Sequence, residues 1–146
     1  MKLKQLITTL LAIVFCTCLL AGCGNDKQNI SDEKDKISIT DSLGRQVVLD
    51  KPVSRAVVAN AYNTELINAI GAIDDVVGVD FNIYQDQEGF KNKFTKDMVI
   101  GKSQRELNYE KIIELKPEVL ILTSNGAWQD AEAKLSPFGI KVINVD

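Results

Sequence analysis

The sequence predicts an α/β fold: a mainly parallel sheet flanked by helices and preceded by a β-hairpin. Three observations carry that prediction. Short apolar, β-branched runs alternate with segments of helical spacing along residues 56–146. The run Val119-Leu120-Ile121-Leu122 is apolar at every position, the pattern of a strand buried on both faces of a parallel sheet. Ahead of these runs, residues 37–49 alternate between apolar and polar around a turn, which is a hairpin signal.

Each element follows from local chemistry. Ile37 and Ile39 alternate with polar residues, Ser42-Leu43-Gly44-Arg45 supplies the turn, and Val47 and Leu49 resume the alternation. Beyond Pro52, Ala56-Val57-Val58-Ala59 reads as a buried strand. A helix over residues 65–70 is expected next, capped by Asn63 or Thr64 and ended by Gly71. Residues 75–80, with Val76, Val77 and Val79, give a second strand, and Met98-Val99-Ile100 a weaker third before Gly101. Asn108 precedes Tyr109, Ile112, Ile113 and Lys116, spaced as one helix face, and Pro117 stops that helix. After the 119–122 strand, Trp128, Ala131 and Leu135 mark another helix. Gly139 breaks it, and residues 141–146 form a last strand.

The N-terminus carries a different message. Lys2 and Lys4 precede an apolar run from Leu6 to Leu20, shorter than the ~20 residues a membrane-spanning helix needs, so residues 1–22 read as a removable secretory signal. Leu20-Ala21-Gly22-Cys23 has the form of a lipobox, which makes Cys23 the expected lipid-attachment site and the new N-terminus. Two acyl chains anchor stably where one is marginal, since each buried methylene contributes about 0.8 kcal/mol. Residues 23–36 are mixed in charge and hold a single aliphatic residue, Ile30, so they read as a flexible tether. The expected location is the extracytoplasmic face of the cell membrane, and the expected globular domain is residues 37–146.

Composition narrows the chemistry. The chain has no histidine, which removes the usual general base and metal ligand. Cys16 and Cys18 leave with the signal, and lipidation of Cys23 then leaves no free thiol. Loss of Lys2 and Lys4 takes the formal net charge from −3 to −5, unsuited to binding nucleic acid. The acidic pairs Asp74-Asp75 and Asp86 with Glu88 read as solvated loops. Neither a phosphate-binding loop of the form G-x-x-x-x-G-K-[ST] nor a G-x-G-x-x-G turn occurs.

Taken together, several motifs in order resemble one family. These are Thr40-Asp41-Ser42-Leu43-Gly44-Arg45, the strand-loop-helix at 57–71 with Thr64-Glu65, Val77-Gly78-Val79-Asp80, Asn108-Tyr109-Glu110-Lys111-Ile112-Ile113-Glu114-Leu115-Lys116-Pro117-Glu118, and Gly139-Ile140-Lys141-Val142. The family is the ferric-siderophore and cobalamin class of substrate-binding proteins of ABC importers. The resemblance implies a bilobal parent, in which two α/β lobes joined by one long helix hold ligand between them. Residues 37–146 would be the N-terminal lobe alone, and the chain a truncated form. It implies an ABC permease and its ATPase as partners, a small-molecule iron complex as ligand, and no intrinsic cofactor, any metal arriving inside a ferric chelate. Glu110 aligns with the glutamate that docks on the permease, although an acid in the first turn of a helix is also favoured by the helix dipole.

Ligand contacts in such a lobe should come from loops at the carboxyl ends of the parallel strands. That rule nominates Asn60, Tyr62 and Asn63, then Asn82 and Tyr84, then Ser103, Gln104 and Arg105, then Ser124, Asn125 and Trp128. Tyrosines stack on planar chelates, and Arg105 can pair with an anionic one. Three of these have plainer readings: Asn63 as a helix cap, Tyr62 as its packing neighbour and Trp128 as core beside Ala131 and Leu135. The expected function is that of a lipid-anchored, non-enzymatic receptor for an iron complex. Haem or cobalamin binding on the same scaffold is the nearest alternative, and a surface-anchored α/β enzyme or a fragment with no transport role are the others.

Overall fold

The computed structural model describes residues 36–146 apart from 87 and 91, so the lipobox, Cys23 and all of the tether before Lys36 lie outside the described residues. The predicted hairpin forms: β1 (Ile37–Thr40) and β2 (Gln46–Leu49) pair antiparallel, with Ile39 opposite Val47 and Ile37 opposite Leu49. Then come β3 (Ala56–Val58), α1 (Ala61–Ala69), β4 (Val76–Val79) and α2 (Phe81–Gln85). A small antiparallel pair, β5 (Gly101–Ser103) and β6 (Glu106–Leu107), precedes α3 (Tyr109–Leu115). The chain closes with β7 (Val119–Leu122), α4 (Trp128–Leu135) and β8 (Lys141–Asn144).

Strands β4-β3-β7-β8, in that spatial order, make a parallel four-stranded sheet. The two-residue period sends alternate side chains to opposite faces. On one face Val57, Leu120, Leu122 and Val142 meet Ile112 of α3 and Ala131 and Leu135 of α4. On the other, Ala56, Val58, Val119 and Ile143 meet Ile83, Phe90 and Phe94, with Ile39, Val47 and Leu49 of the hairpin and Ile67 of α1 packed alongside. Leu120 and Ile112 are fully buried, and each such side chain contributes about 2 kcal/mol relative to exposure.

Two local expectations are corrected. Helix α1 starts at Ala61, not beyond Asn63, because Asn60 adopts the extended cap conformation and its side chain accepts from Asn63 N at 3.1 Å. Asn63 and Thr64 are therefore inside the helix. Its end is as expected: Gly71 takes φ 80°, and Ala72 N donates to Ile67 O while Gly71 N donates to Asn68 O, the paired bonds of a Schellman close. The weak third strand at 98–100 shrinks to one parallel bridge between Val79 and Val99, with Ile100 N donating to Val79 O, because Lys96–Met98 is wound as a 3₁₀ turn. Strand pairing shifts to residue 101 onward, in β5. There Gly101 sits at φ 146° with a built Cβ only 2.1 Å from Glu106 O, so no other residue fits.

The hairpin turn is fastened to the edge of β8. Ser42 N donates to Asn144 O at 2.9 Å, Arg45 Nη2 to Val142 O at 3.1 Å, and Asp146 N to Ser42 Oγ at 2.8 Å. Asp41 is buried at the centre and accepts from Leu43 N, Arg45 N and the Arg45 guanidinium, all at 2.7–3.0 Å. Burial pushes its carboxyl up, but the Arg45 side-chain and backbone hydrogen bonds outweigh that and hold it down at about 2. The Thr40–Arg45 motif is thus a strut that closes one sheet edge.

Candidate functional site at the carboxyl ends of the strands

Strand β3 lies between β4 and β7, so the connections leaving it and entering β7 run to opposite sides. That is a topological switch point, and the crevice it opens lies past the carboxyl ends of β3 and β7. Residues reaching this end come from the first turn of α1, the Asp80–Phe81 start of α2, the β5–β6 turn and the loop after β7.

After β3, Asn60 uses its side-chain oxygen to cap α1, and Tyr62 points to solvent at 60% exposure. Asn63 is buried. Its Nδ2 donates to Val145 O at 3.0 Å, tying α1 to the end of β8, while its Oδ1 has no hydrogen-bond partner. A buried, unpaired carbonyl oxygen is unusual and costs about 1–3 kcal/mol, so this end carries an unmet acceptor. Thr64 Oγ1 donates back to Asn60 O at 2.9 Å.

After β4, Asp80 caps α2 by accepting from Ile83 N at 3.1 Å. Burial raises its pKa against the lowering effect of the Ile83 and Asn82 amides. Asn82 donates to Lys102 O at 3.2 Å. Tyr84 is half-buried against the second core and lies 6.1 Å, centroid to centroid, from the exposed ring of Phe81.

The β5–β6 turn and the loop after β7 are laced together. Gln104 Oε1 accepts from both Thr123 N and Thr123 Oγ1 at 2.9 Å, and Gln104 O accepts from Ala127 N. Arg105 N lies 3.3 Å from Ser103 Oγ, and Arg105 Nε donates to Asn125 O at 2.9 Å from an exposed position. Ser124 N donates to Asp146 Oδ1 at 2.8 Å. Gln104, Arg105, Ser124 and Asn125 are therefore one connected group. Trp128 stands apart from it: its ring packs on the first core, and the Arg45 guanidinium covers it at 4.7 Å.

Sequence reasoning missed Phe81, Asp80, Thr123 and Asp146. An aromatic directly after a strand-ending Asp was the available signal for Phe81. Thr123 and Asp146 join through pairs across strands, which no local pattern announces. Glu110 is exposed in the first turn of α3, behind the Asn108 cap, whose side chain accepts from Lys111 N at 3.0 Å. Among the described residues no group of three or more Cys, Asp or Glu is placed to hold a metal, and no helix is long and apolar enough to cross a membrane. The arrangement offers aromatic faces, amides, a guanidinium and hydroxyls, which are groups for holding a ligand. A separate open depression lined by Leu49, Lys51, Pro117, Glu118 and Lys141 sits at the opposite, amino ends of the strands.

Comparisons agree with this topology. A Bacillus subtilis (strain 168) protein, the uncharacterized ABC transporter substrate-binding lipoprotein YvrC, is 33% identical over 143 residues, 92% of this chain and 43% of that protein. A periplasmic heme binding protein from Pseudomonas aeruginosa is similar in structure at TM-score 0.53 and 26% identity, over 64% of this chain and 31% of that one. The iron uptake ABC transporter substrate-binding protein PiuA from Streptococcus pneumoniae shares the fold at TM-score 0.60 and 19% identity, over 77% of this chain and 37% of that one. The chain thus spans less than half the length of each. The sequence profile for periplasmic binding proteins matches residues 57–146, from β3 to the end of the last strand, and the chain belongs to that family.

Proposed function

We propose that the chain serves as the solute-binding component of an ABC importer, lipid-anchored through Cys23 on the extracytoplasmic face, with an iron complex as ligand. The carrying observation is the polar and aromatic rim at the switch point of a periplasmic-binding fold. In this reading Tyr62 and Tyr84 stack on the chelate and Arg105 meets its negative charge. Asn60, Ser124 and Asn125 offer hydrogen bonds, while Gln104 holds the rim in shape. Glu110 docks on the permease, whose ATPase drives transport, and the chain itself performs no chemistry. Residues 1–22 act as the signal and 23–36 as the tether for the lobe at 37–146.

Haem is the second reading, favoured by the heme binding protein among the structural neighbours. Equilibrium titration of the folded, signal-free chain with a ferric catecholate, a ferric hydroxamate and haemin separates the two. Saturable binding of a ferric siderophore, weakened about tenfold or more by Arg105→Ala or Tyr62→Ala, is the expected result, since each lost contact there is worth about 1.4 kcal/mol. Haemin binding alone moves the assignment to haem. Absence of binding by all three to folded protein overturns the iron reading.

A further inference from the structure

The amino ends of the parallel strands carry an exposed aromatic ring among lysines. Phe138 closes the Ser136–Phe138 3₁₀ turn after α4 and stands 60% exposed, and Gly139 at φ 76° turns the chain back into β8. Beside it, Ile113, Pro117 and Ile140 line an open apolar depression with Lys116. Lys141 lines the depression of Leu49 and Glu118 next to it, and Pro117 belongs to both. The acids here are already paired, Asp50 with Lys36 at 3.8 Å and Glu118 with Lys51 at 2.7 Å. Lys116 and Lys141 are exposed and belong to no ion pair among the described residues. Asp74 and Asp75 precede β4, at the opposite edge of the sheet from β8. The chain is acidic overall, yet this corner is cationic and apolar.

The chain also enters the lobe here. Ile37 of β1 pairs with Leu49, and Leu49 shares its depression with Lys141. Residues 24–36, between Cys23 and β1, span at most about 45 Å. A lipid on Cys23 therefore keeps this corner at high effective concentration near a bilayer.

We propose that the corner, with Phe138 at its tip, seats on an anionic phospholipid bilayer. The chemistry suits that surface, since the ring enters the boundary between headgroups and acyl chains while the ammonium groups meet lipid phosphates. A second copy of the chain is a poorer occupant, because a two-fold interface sets the lysines of one patch against those of the other. In this pose the strands point away from the membrane, and the rim with Tyr62 and Arg105 opens to solution. Glu110 lies toward the rim as well, because α3 starts beside Ile100, next to the carboxyl end of β4, and runs back to Lys116. Docking through Glu110 thus requires the lobe to leave its seat, which a salt-sensitive contact permits. The inference deepens the lipid-anchor reading and does not depend on which ligand is bound.

The test is sedimentation of the folded, signal-free chain with vesicles of phosphatidylglycerol and phosphatidylcholine in equal parts, and with vesicles of phosphatidylcholine alone. Binding to the anionic vesicles only is the expected result. It should fall about tenfold or more with Lys116→Glu plus Lys141→Glu, and likewise on raising salt from about 0.05 to about 0.5 M. Phe138→Ser should weaken it about fivefold and leave the salt dependence in place. Lys96→Glu plus Lys102→Glu, the same change of net charge on exposed residues elsewhere, should stay within about twofold of the parent. Equal binding to both vesicle types, a loss in this control pair as large as in the corner pair, or no binding to either vesicle overturns the proposal. So does a dimer in sedimentation equilibrium that Phe138→Ser abolishes. The anchor is read separately: an intact mass of the membrane-extracted protein without diacylglycerol on Cys23 removes the anchor reading, while the vesicle result decides this one.

Discussion

The two ends of the parallel sheet treat their polar groups in opposite ways. At the amino ends, Glu118 accepts from Ser54 N at 2.7 Å, Ser54 Oγ at 3.2 Å and Arg55 N at 3.1 Å, and pairs with Lys51 Nζ at 2.7 Å. Arg55 in turn donates to Leu115 O and Lys116 O, closing the end of α3. At the carboxyl ends, Asp80 is buried without a cationic partner in hydrogen-bonding reach among the described residues, Asn63 Oδ1 is unpaired, and Tyr62 and Phe81 face solvent. One end is arranged for stability and the other tolerates a cost. That division fits the proposed ligand-binding reading, because groups already paired within the protein have little left for a ligand.

The strongest way to sharpen the contrast is to attack a part of the carboxyl end whose groups are paired. Asp41→Ala removes a buried carboxylate from the Arg45 strut, and a loss of about 3 kcal/mol in a urea melt is expected. The same group sets an acid limit. Its pKa is lowered from 3.8 to about 2, so its stabilisation, about 2 kcal/mol, is present above 3.8 and drains away as pH falls through about 2. An acid melt that does not change with Asp41→Asn would break this account.

Glu118→Ala comes next, with an expected cost of about 2 kcal/mol from three unpaired donors at the amino end. Here the pKa falls from 4.5 to about 2, chiefly through the Lys51 side chain and the Ser54 amide, so the contribution is again present at neutral pH and lost in acid. Glu118→Gln keeps an acceptor for the amides and should cost about 1 kcal/mol, as the side chain is partly exposed and its ion pair is screened.

The smallest effect has the opposite sign. Asp80→Asn keeps the cap on α2 and removes the buried charge, so thermal stability at neutral pH should hold or rise. With the folded pKa raised above 3.8, wild-type stability declines as pH climbs from 3.8 through the folded value, and the variant should lack that decline. A lower Tm for the variant at neutral pH would remove Asp80 from the set of groups held at a cost.

Much of the fold was legible because the strands β3, β7 and β8 are short apolar runs bounded by Pro, Gly or capping residues. Asn108 and Pro117 mark both ends of α3 in the same way. What escaped notice was set by pairing or by length. Helix α2 is five residues long, too short to show a period, and the third strand lost its pairing to a 3₁₀ turn. The start of α1 was misplaced because Asn60 and Asn63 are chemically equal candidates for a cap, and only the backbone angles decide between them.

The site was legible as a set of loops. Tyr62 and Arg105 are where strand-end reasoning puts them, exposed at the carboxyl rim. It could not reveal that Gln104 spends its amide oxygen on Thr123 or that Trp128 lies under Arg45. Those partners are 19 and 83 residues away in sequence, beyond any local pattern.

By itself the sequence determined the class of fold and the order of strands and helices. Hydrophobic period and capping chemistry act over a few residues and are written in the chain. Only the tertiary structure decided which polar groups are paired and which are left over. It also decided that α1 turns Asn63 and Thr64 inward and Tyr62, Leu66 and Ile70 outward. The physical reason is that a hydrogen bond such as Asn63 to Val145, 82 residues apart, exists only once β3 and β8 share a sheet, and it then outranks the helix's own preference for which face to bury.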